Sequence, residues 1–237
     1  MVPYTRFNEK KKPSILLVDD IPSNLSLMKT FFKKFDAFQE EFEHSDNILL
    51  SLSRSLEVKD FYTKEHSIRV SKLSTDFVSF LGFSQKDSEE VKKAGILHDI
   101  GKIFLSTSLL HKPDVLTEEE TEAIKKHVVI GEEICKPLVS MRKILPAIRN
   151  HHERWDGKGF PDGLAGEDIP FIARILAIVD SFDAMVSGRC YRGCKSAKVA
   201  LETMKSEQYK GQWDPELLGY FLEMISLTDN RMLISNG

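Results

Sequence analysis

Apolar positions recur every three to four residues along most of this chain. Near the start, SILLVDD (14–20) reads as a short buried strand ending in two acids. Ile21-Pro22-Ser23-Asn24 then turns the chain into a helix from Leu25 to Phe38. From Glu40 onward the period is helical throughout: Ile48, Leu49, Leu52 and Leu56 share one face. Ile68, Val70, Leu73, Phe77, Val78 and Phe80 form the next apolar set, which stops at Gly82. A helix over Ser88–Leu97 follows. Thr117, ahead of Glu118, Glu119 and Glu120, is an N-cap with first-turn acids, and predicts one helix through His127 to Ile134. Beyond Pro137 a helix is expected from Met141 to His151, then a strongly apolar one over Pro170–Ser187, and amphipathic ones over Ser196–Ser206 and Pro215–Ser226. The expectation is an all-α body of many helices with a short N-terminal strand–helix remnant.

Composition narrows the class. The 237 residues are 41% hydrophobic, enough for one large domain with an appendage. A net charge of −3 gives no nucleic-acid footprint, so neither DNA nor RNA is expected as a partner. No apolar run approaches the ~18 residues of a membrane helix, and the N-terminus lacks the apolar region of a signal peptide. Cys135, Cys190 and Cys194 form no disulfide framework. A reduced, cytoplasmic protein away from membranes is expected. Residues 1–12 read as a basic tail.

The chemistry concentrates in histidine and aspartate. His98-Asp99 lies inside the apolar run AGILHDIGKIFL, where an ionised carboxylate is costly without a cationic partner. A divalent metal would supply that charge and accept a neutral imidazole beside it. His66, His127, the doublet His151-His152 and Asp180 continue the series, so five of the seven histidines belong to it. Two metals need a bridging carboxylate and several terminal imidazoles. Asp99 is the natural bridge, with His66, His98 and Asp180 on one metal and His127, His151 and His152 on the other. The series reads as a metal-dependent phosphohydrolase site.

Several motifs in order carry a family resemblance. LHDIGK, then HHERWDGKGFPDGL, then DSFDAMVSGRCYR, with DFYTKEHSIRV upstream, resemble the HD-GYP domain of the HD phosphohydrolase superfamily. The opening strand and helix, with Asp19 and Asp20, resemble the start of a response-regulator receiver, although 25 residues are far too few for its doubly wound sheet. The resemblance divides the chain into a truncated receiver-like fragment and linker at 13–45 and an HD-GYP domain at 46–230. It implies an all-α HD-superfamily fold, iron or manganese as the metal, and hydrolysis of cyclic-di-GMP to pGpG, GMP or both. It implies metal ligands at His66, His98, Asp99, His127, His151, His152 and Asp180, with Asp99 and Lys102 in catalysis. Lys102, Asp183, Arg189 and Arg192 are the implied substrate contacts. Members with three metals carry an acid where this chain has Tyr62, so two metals per chain are expected. A GGDEF-type diguanylate cyclase and a second copy, paired through the helix at 40–60, are candidate partners.

Two departures stand out. The signature tripeptide is Gly159-Phe160-Pro161, a phenylalanine in place of tyrosine, so any function of that hydroxyl is lost. Cys190 stands where the resemblance implies proline. Asp156-Gly157 and Gly159 suggest a flexible loop able to close over a substrate. Two other readings compete: a module that binds cyclic-di-GMP or a diguanylate cyclase without turnover, and an HD hydrolase of another nucleotide.

Overall fold

The structure, a computed structural model, describes residues 66–187 and 196–235. The expected strand–helix remnant, the helix at 40–60, Tyr62, and the stretch with Arg189, Cys190, Arg192 and Cys194 lie outside those residues. Within them the chain is helical, as its periodicity predicts. No β-strand forms among the described residues, only an isolated bridge between Asp156 and Ala165.

Small residues set how closely the first two helices approach. Helix α1 (His66–Phe80) buries His66, Ser67, Val70, Ser71, Ser74, Phe77 and Val78, a single stripe at helical spacing. Ile68 and Phe80, expected on this apolar face, fall beside the stripe and are exposed. Helix α2 (Gln85–Leu97) begins ahead of the expected Ser88 because Ser84 closes a capping box with Asp87. Gly95 of α2 lies directly on α1: a Cβ there would come within 2.6 Å of Ser71 Cα. This contact draws the end of α2 toward His66.

After α2 the chain enters a 3₁₀ turn, Ile100–Phe104, then short α3 (Thr107–Leu110) and α4 (Glu118–Lys125). The single helix expected from Thr117 to Ile134 is two, α4 and α5 (His127–Cys135), parted at Lys126. The physical reason is a tightened last turn, in which the Lys126 N–H is shared between the Glu122 and Ile124 carbonyls. The two halves differ in burial: α4 has no buried residue, whereas α5 buries His127, Val128, Gly131 and Cys135. The 3₁₀ turn rests on α5 through Gly101, where a Cβ would lie 1.9 Å from the His127 carbonyl oxygen.

The helix expected over 141–151 is also shorter. Val139–Met141 forms its own 3₁₀ turn, and α6 spans only Leu145–Asn150, since Pro146 has no N–H with which to extend the ladder backward. Helix α7 (Phe171–Ser187) is the central column, burying Ala173, Ile175, Leu176, Ile178, Val179 and Phe182. It packs against α1, α2, α6, α8 (Ala197–Glu207) and α9 (Pro215–Ser235). Phe221 of α9 meets Phe77 and Phe182 edge-on, at 5.2 and 5.4 Å between ring centroids. Asp214 ties α9 to α7, capping the Glu216 and Leu217 N–H groups while accepting from Arg174. Among the described residues no helix is long and apolar enough to cross a membrane.

The Gly101 contact yields a prediction. Gly101→Ala forces backbone apart and is expected to lower stability by about 1–3 kcal/mol or more. Gly219→Ala, in a helix with the nearest atom at 3.4 Å, is expected to be neutral or stabilising by up to about 1 kcal/mol. Urea denaturation of both variants checks this; equal effects would contradict the close approach.

Candidate metal centre

Three histidines stand at helix ends in one repeated arrangement. His98 Nδ1 lies 2.8 Å from the Gly95 carbonyl, His127 Nδ1 2.6 Å from that of Ile124, and His151 Nδ1 2.8 Å from that of Ile148. Each is a carbonyl three residues earlier, of the kind a helix end leaves available. A carbonyl only accepts, so each Nδ1 carries a hydrogen and each ring turns its Nε2 outward, where a neutral imidazole presents its lone pair. His66 is held differently: its Nδ1 donates to Asp183 Oδ2 at 2.7 Å, and Arg69 grips the same carboxylate through Nε and Nη2 at 2.7 and 2.9 Å. Asp183, expected as a substrate contact, therefore has its carboxylate engaged behind His66, which it orients.

The Nε2 atoms of these four rings converge on Asp99, which is 2% exposed. Its Oδ1 faces His127 Nε2 at 3.2 Å and His151 Nε2 at 4.0 Å; its Oδ2 faces His98 Nε2 at 3.3 Å and His66 Nε2 at 3.9 Å. Asp180 Oδ1 lies 3.1 Å from His66 Nε2. The seven expected ligands thus fall into two groups: Asp99, His127, His151 and His152, and His66, His98 and Asp180. In each, one ligand atom per residue lies within 4.8 Å of all the others.

The donors fit a divalent metal on their own geometry. Asp99 Oδ1 and Nε2 of His98, His127 and His151 are buried and lack a hydrogen-bond partner among the described residues. Such atoms are costly to bury unless something pairs with them. Imidazole and carboxylate donors together suit first-row divalent ions, and hydrogen-bonded second ring nitrogens are how metal-binding imidazoles are held.

Electrostatics point the same way. Burial would raise the Asp99 carboxyl, but Lys102 and His98 outweigh it and hold it well below the usual carboxylate range. Asp180 is likewise lowered, burial being outweighed by His66 and His98. Burial pushes His151 well below its ordinary value and His152 down to about 4. Burial would also lower His66, yet the flanking carboxylates of Asp180 and Asp183 raise it to about 9.

Lys102 is buried, its Nζ 2.6 Å from Asp99 Oδ2. Arg189 and Arg192 lie outside the described residues. The loop after His152 is pinned, contrary to the expectation of a flexible flap. Buried Glu153 accepts the Asp162 and Gly163 N–H groups at 2.7 and 3.0 Å. Arg149 Nε and Nη2 and Asn150 Nδ2 hold Asp162. The Trp155 and Asp156 N–H groups bond to Gln212 and Gly211.

Arg69, Asp183 and Glu153 escaped the reading from sequence as orienting groups. A signal existed for the first two: His66 and Arg69, like Asp180 and Asp183, are three apart and so share a helix face.

Comparison with known proteins gives a family match. The HD domain model matches residues 51–217. Over 84% of this chain and 55% of its own length, a cyclic di-GMP phosphodiesterase of Thermotoga maritima is 36% identical. The 3'3'-cGAMP-specific phosphodiesterase 2 of Vibrio cholerae is 32% identical over 76% of this chain and 35% of its own. The chain therefore spans only about a third to a half of these relatives. The crystal structure of the V. cholerae cyclic GMP-AMP specific phosphodiesterase V-cGAP3 shares the fold, with a TM-score of 0.61 at 18% identity over 76% of this chain and 48% of that one.

The raised His66 value predicts a pH dependence. Below about 9 its ring carries a proton, which must leave before Nε2 can donate to a metal. Apparent Mn²⁺ affinity is expected to rise about tenfold per pH unit from 7 to 9 and then level off. Calorimetry in buffers of different ionisation enthalpy should count one proton released per chain at pH 7.5, and pH-independent affinity would contradict it.

Proposed function

Because the chain belongs to the HD-domain family, we propose that it is a metal-dependent phosphodiesterase of HD-GYP type that hydrolyses cyclic-di-GMP. The observation that carries this is the pair of donor groups meeting on one buried carboxylate, Asp99. His66, His98 and Asp180 would hold one metal, His127, His151 and His152 the other, and Asp99 both; iron or manganese suits this set. When bound, the metals would supply an activated water and neutralise charge on the phosphoryl group.

The chain's own residues do the rest. The oriented Nε2 atoms and Asp99 hold the centre fixed, so little reorganisation accompanies the reaction. Lys102 has three N–H donors and gives one to Asp99. The others can meet a phosphate oxygen as negative charge builds there. Arg189 and Arg192 would grip the dinucleotide, by forked contact with phosphate or by stacking on guanine. Water adds across the P–O3′ bond, opening the ring to pGpG; a second addition gives GMP. The reading also carries a GGDEF-type diguanylate cyclase and a second copy of the chain as protein partners.

A second substrate has an observation behind it. The 32% identical relative is named for 3'3'-cGAMP, so that dinucleotide belongs beside cyclic-di-GMP as an alternative.

The test is turnover by protein purified anaerobically and loaded with Fe²⁺ or Mn²⁺, offered cyclic-di-GMP, 3'3'-cGAMP and a generic aryl phosphodiester. Linear dinucleotide or mononucleotide from cyclic-di-GMP, faster than from the others, is the expected result. Cleavage of the generic ester alone would point to a different HD hydrolase, and dinucleotide binding without product to a sensor. Lys102→Ala is expected to keep both metals and lower kcat by roughly 10²–10³-fold. Asp99→Ala should lose metal and activity together.

A further inference from the structure

Four of the five clustered histidines are oriented by a hydrogen bond at Nδ1. His152 is not. Among the described residues its ring makes no hydrogen bond; its contacts are with other rings, at centroid distances of 4.2 Å to His151, 5.2 Å to His127 and 4.9 Å to Phe160. The Phe160 contact is the stacked one, with planes 29° apart. Rotation of an imidazole about its last torsion is soft, so a ligand without a hydrogen-bond clamp needs packing to aim it.

Phe160 is itself well placed to supply that packing. Its N–H donates to the His152 carbonyl at 3.3 Å, which closes the loop onto the residue its ring covers. Glu153 fixes the backbone just beyond, at Asp162 and Gly163. The Lys125 ammonium lies 5.6 Å from the centre of the phenyl ring and draws it toward α4.

We propose that Phe160 is a positioning residue for His152, its ring face taking the part that carbonyl oxygens and Asp183 play for the other four. The hydroxyl that the family resemblance implies at this position is not needed for that task. The inference rests on the reading of His152 as a metal ligand.

The test uses the full chain as wild type, Phe160→Leu, which keeps apolar bulk but removes the flat face, and Phe160→Tyr. Histidine ring signals are followed by nitrogen-15 NMR before and during titration with Zn²⁺, and affinities come from calorimetry. Phe160→Leu is expected to shift or broaden the His152 ring signals before any Zn²⁺ is added. It should weaken Zn²⁺ binding at His127, His151 and His152 about 10–100-fold, while His66 and His98 respond at unchanged Zn²⁺ concentration. Phe160→Tyr should match wild type.

The proposal is overturned if Phe160→Leu leaves the His152 signals and affinity unchanged, or weakens both donor groups equally. Tighter binding by Phe160→Tyr would overturn the statement about the hydroxyl. If wild type fails to respond to Zn²⁺ at all, the metal reading fails instead, and the His152 signals alone still decide whether Phe160 aims that ring.

Discussion

One buried negative charge organises this molecule. The Asp99 carboxylate sits among the imidazoles of four different segments, with the Lys102 ammonium against its Oδ2. A charge so placed is costly unless paired and hydrogen-bonded on every side. Lys102 satisfies part of Oδ2, whereas among the described residues Oδ1 faces imidazole Nε2 atoms, which in the neutral ring are acceptors too. Two acceptors facing each other call for a cation between them. A cation there would offset the cost, since α1, the end of α2, α5 and α6 all deliver donors to the same point.

Delivering them demands close backbone contact, and that explains where the small residues fall. Gly95 lets α2 reach α1 beside Ser71, and Gly101 lets the turn carrying Asp99 rest on the His127 carbonyl. Both glycines lie within four residues of His98-Asp99 in sequence. The hydrophobic column of α7 then fixes Asp180 on the side facing His66, with Asp183 one turn further along to aim that ring.

Fold class was legible because a 3.6-residue period persists through the chain, and the donor set was legible because histidine and aspartate announce their chemistry by identity. The fold brings the same seven residues near one another, as Asp99, His127, His151 and His152 and as His66, His98 and Asp180; that they hold metal, and that Asp99 is shared, is a proposal. What escaped depends on contacts between distant segments. Asp183 orients a histidine 117 positions away, and nothing local to DSFD distinguishes that role from contact with a substrate. The break at Lys126 is a tightened turn between an exposed helix and a buried one, and a continuous apolar period conceals it. Pro146 was a local signal and should have shortened the expected helix. The loop after His152 looked mobile from its glycines, yet Glu153 and Arg149 pin it through backbone and carboxylate contacts that composition does not reveal.

The most direct test of a carboxylate shared by two metals is electron paramagnetic resonance of the protein loaded with two Mn²⁺ per chain. The account predicts the many-line spectrum of an exchange-coupled pair, replaced by an isolated-ion signal in Asp99→Asn. Two Mn²⁺ per chain giving only isolated-ion signals in the unaltered protein, or saturation at one, would contradict it.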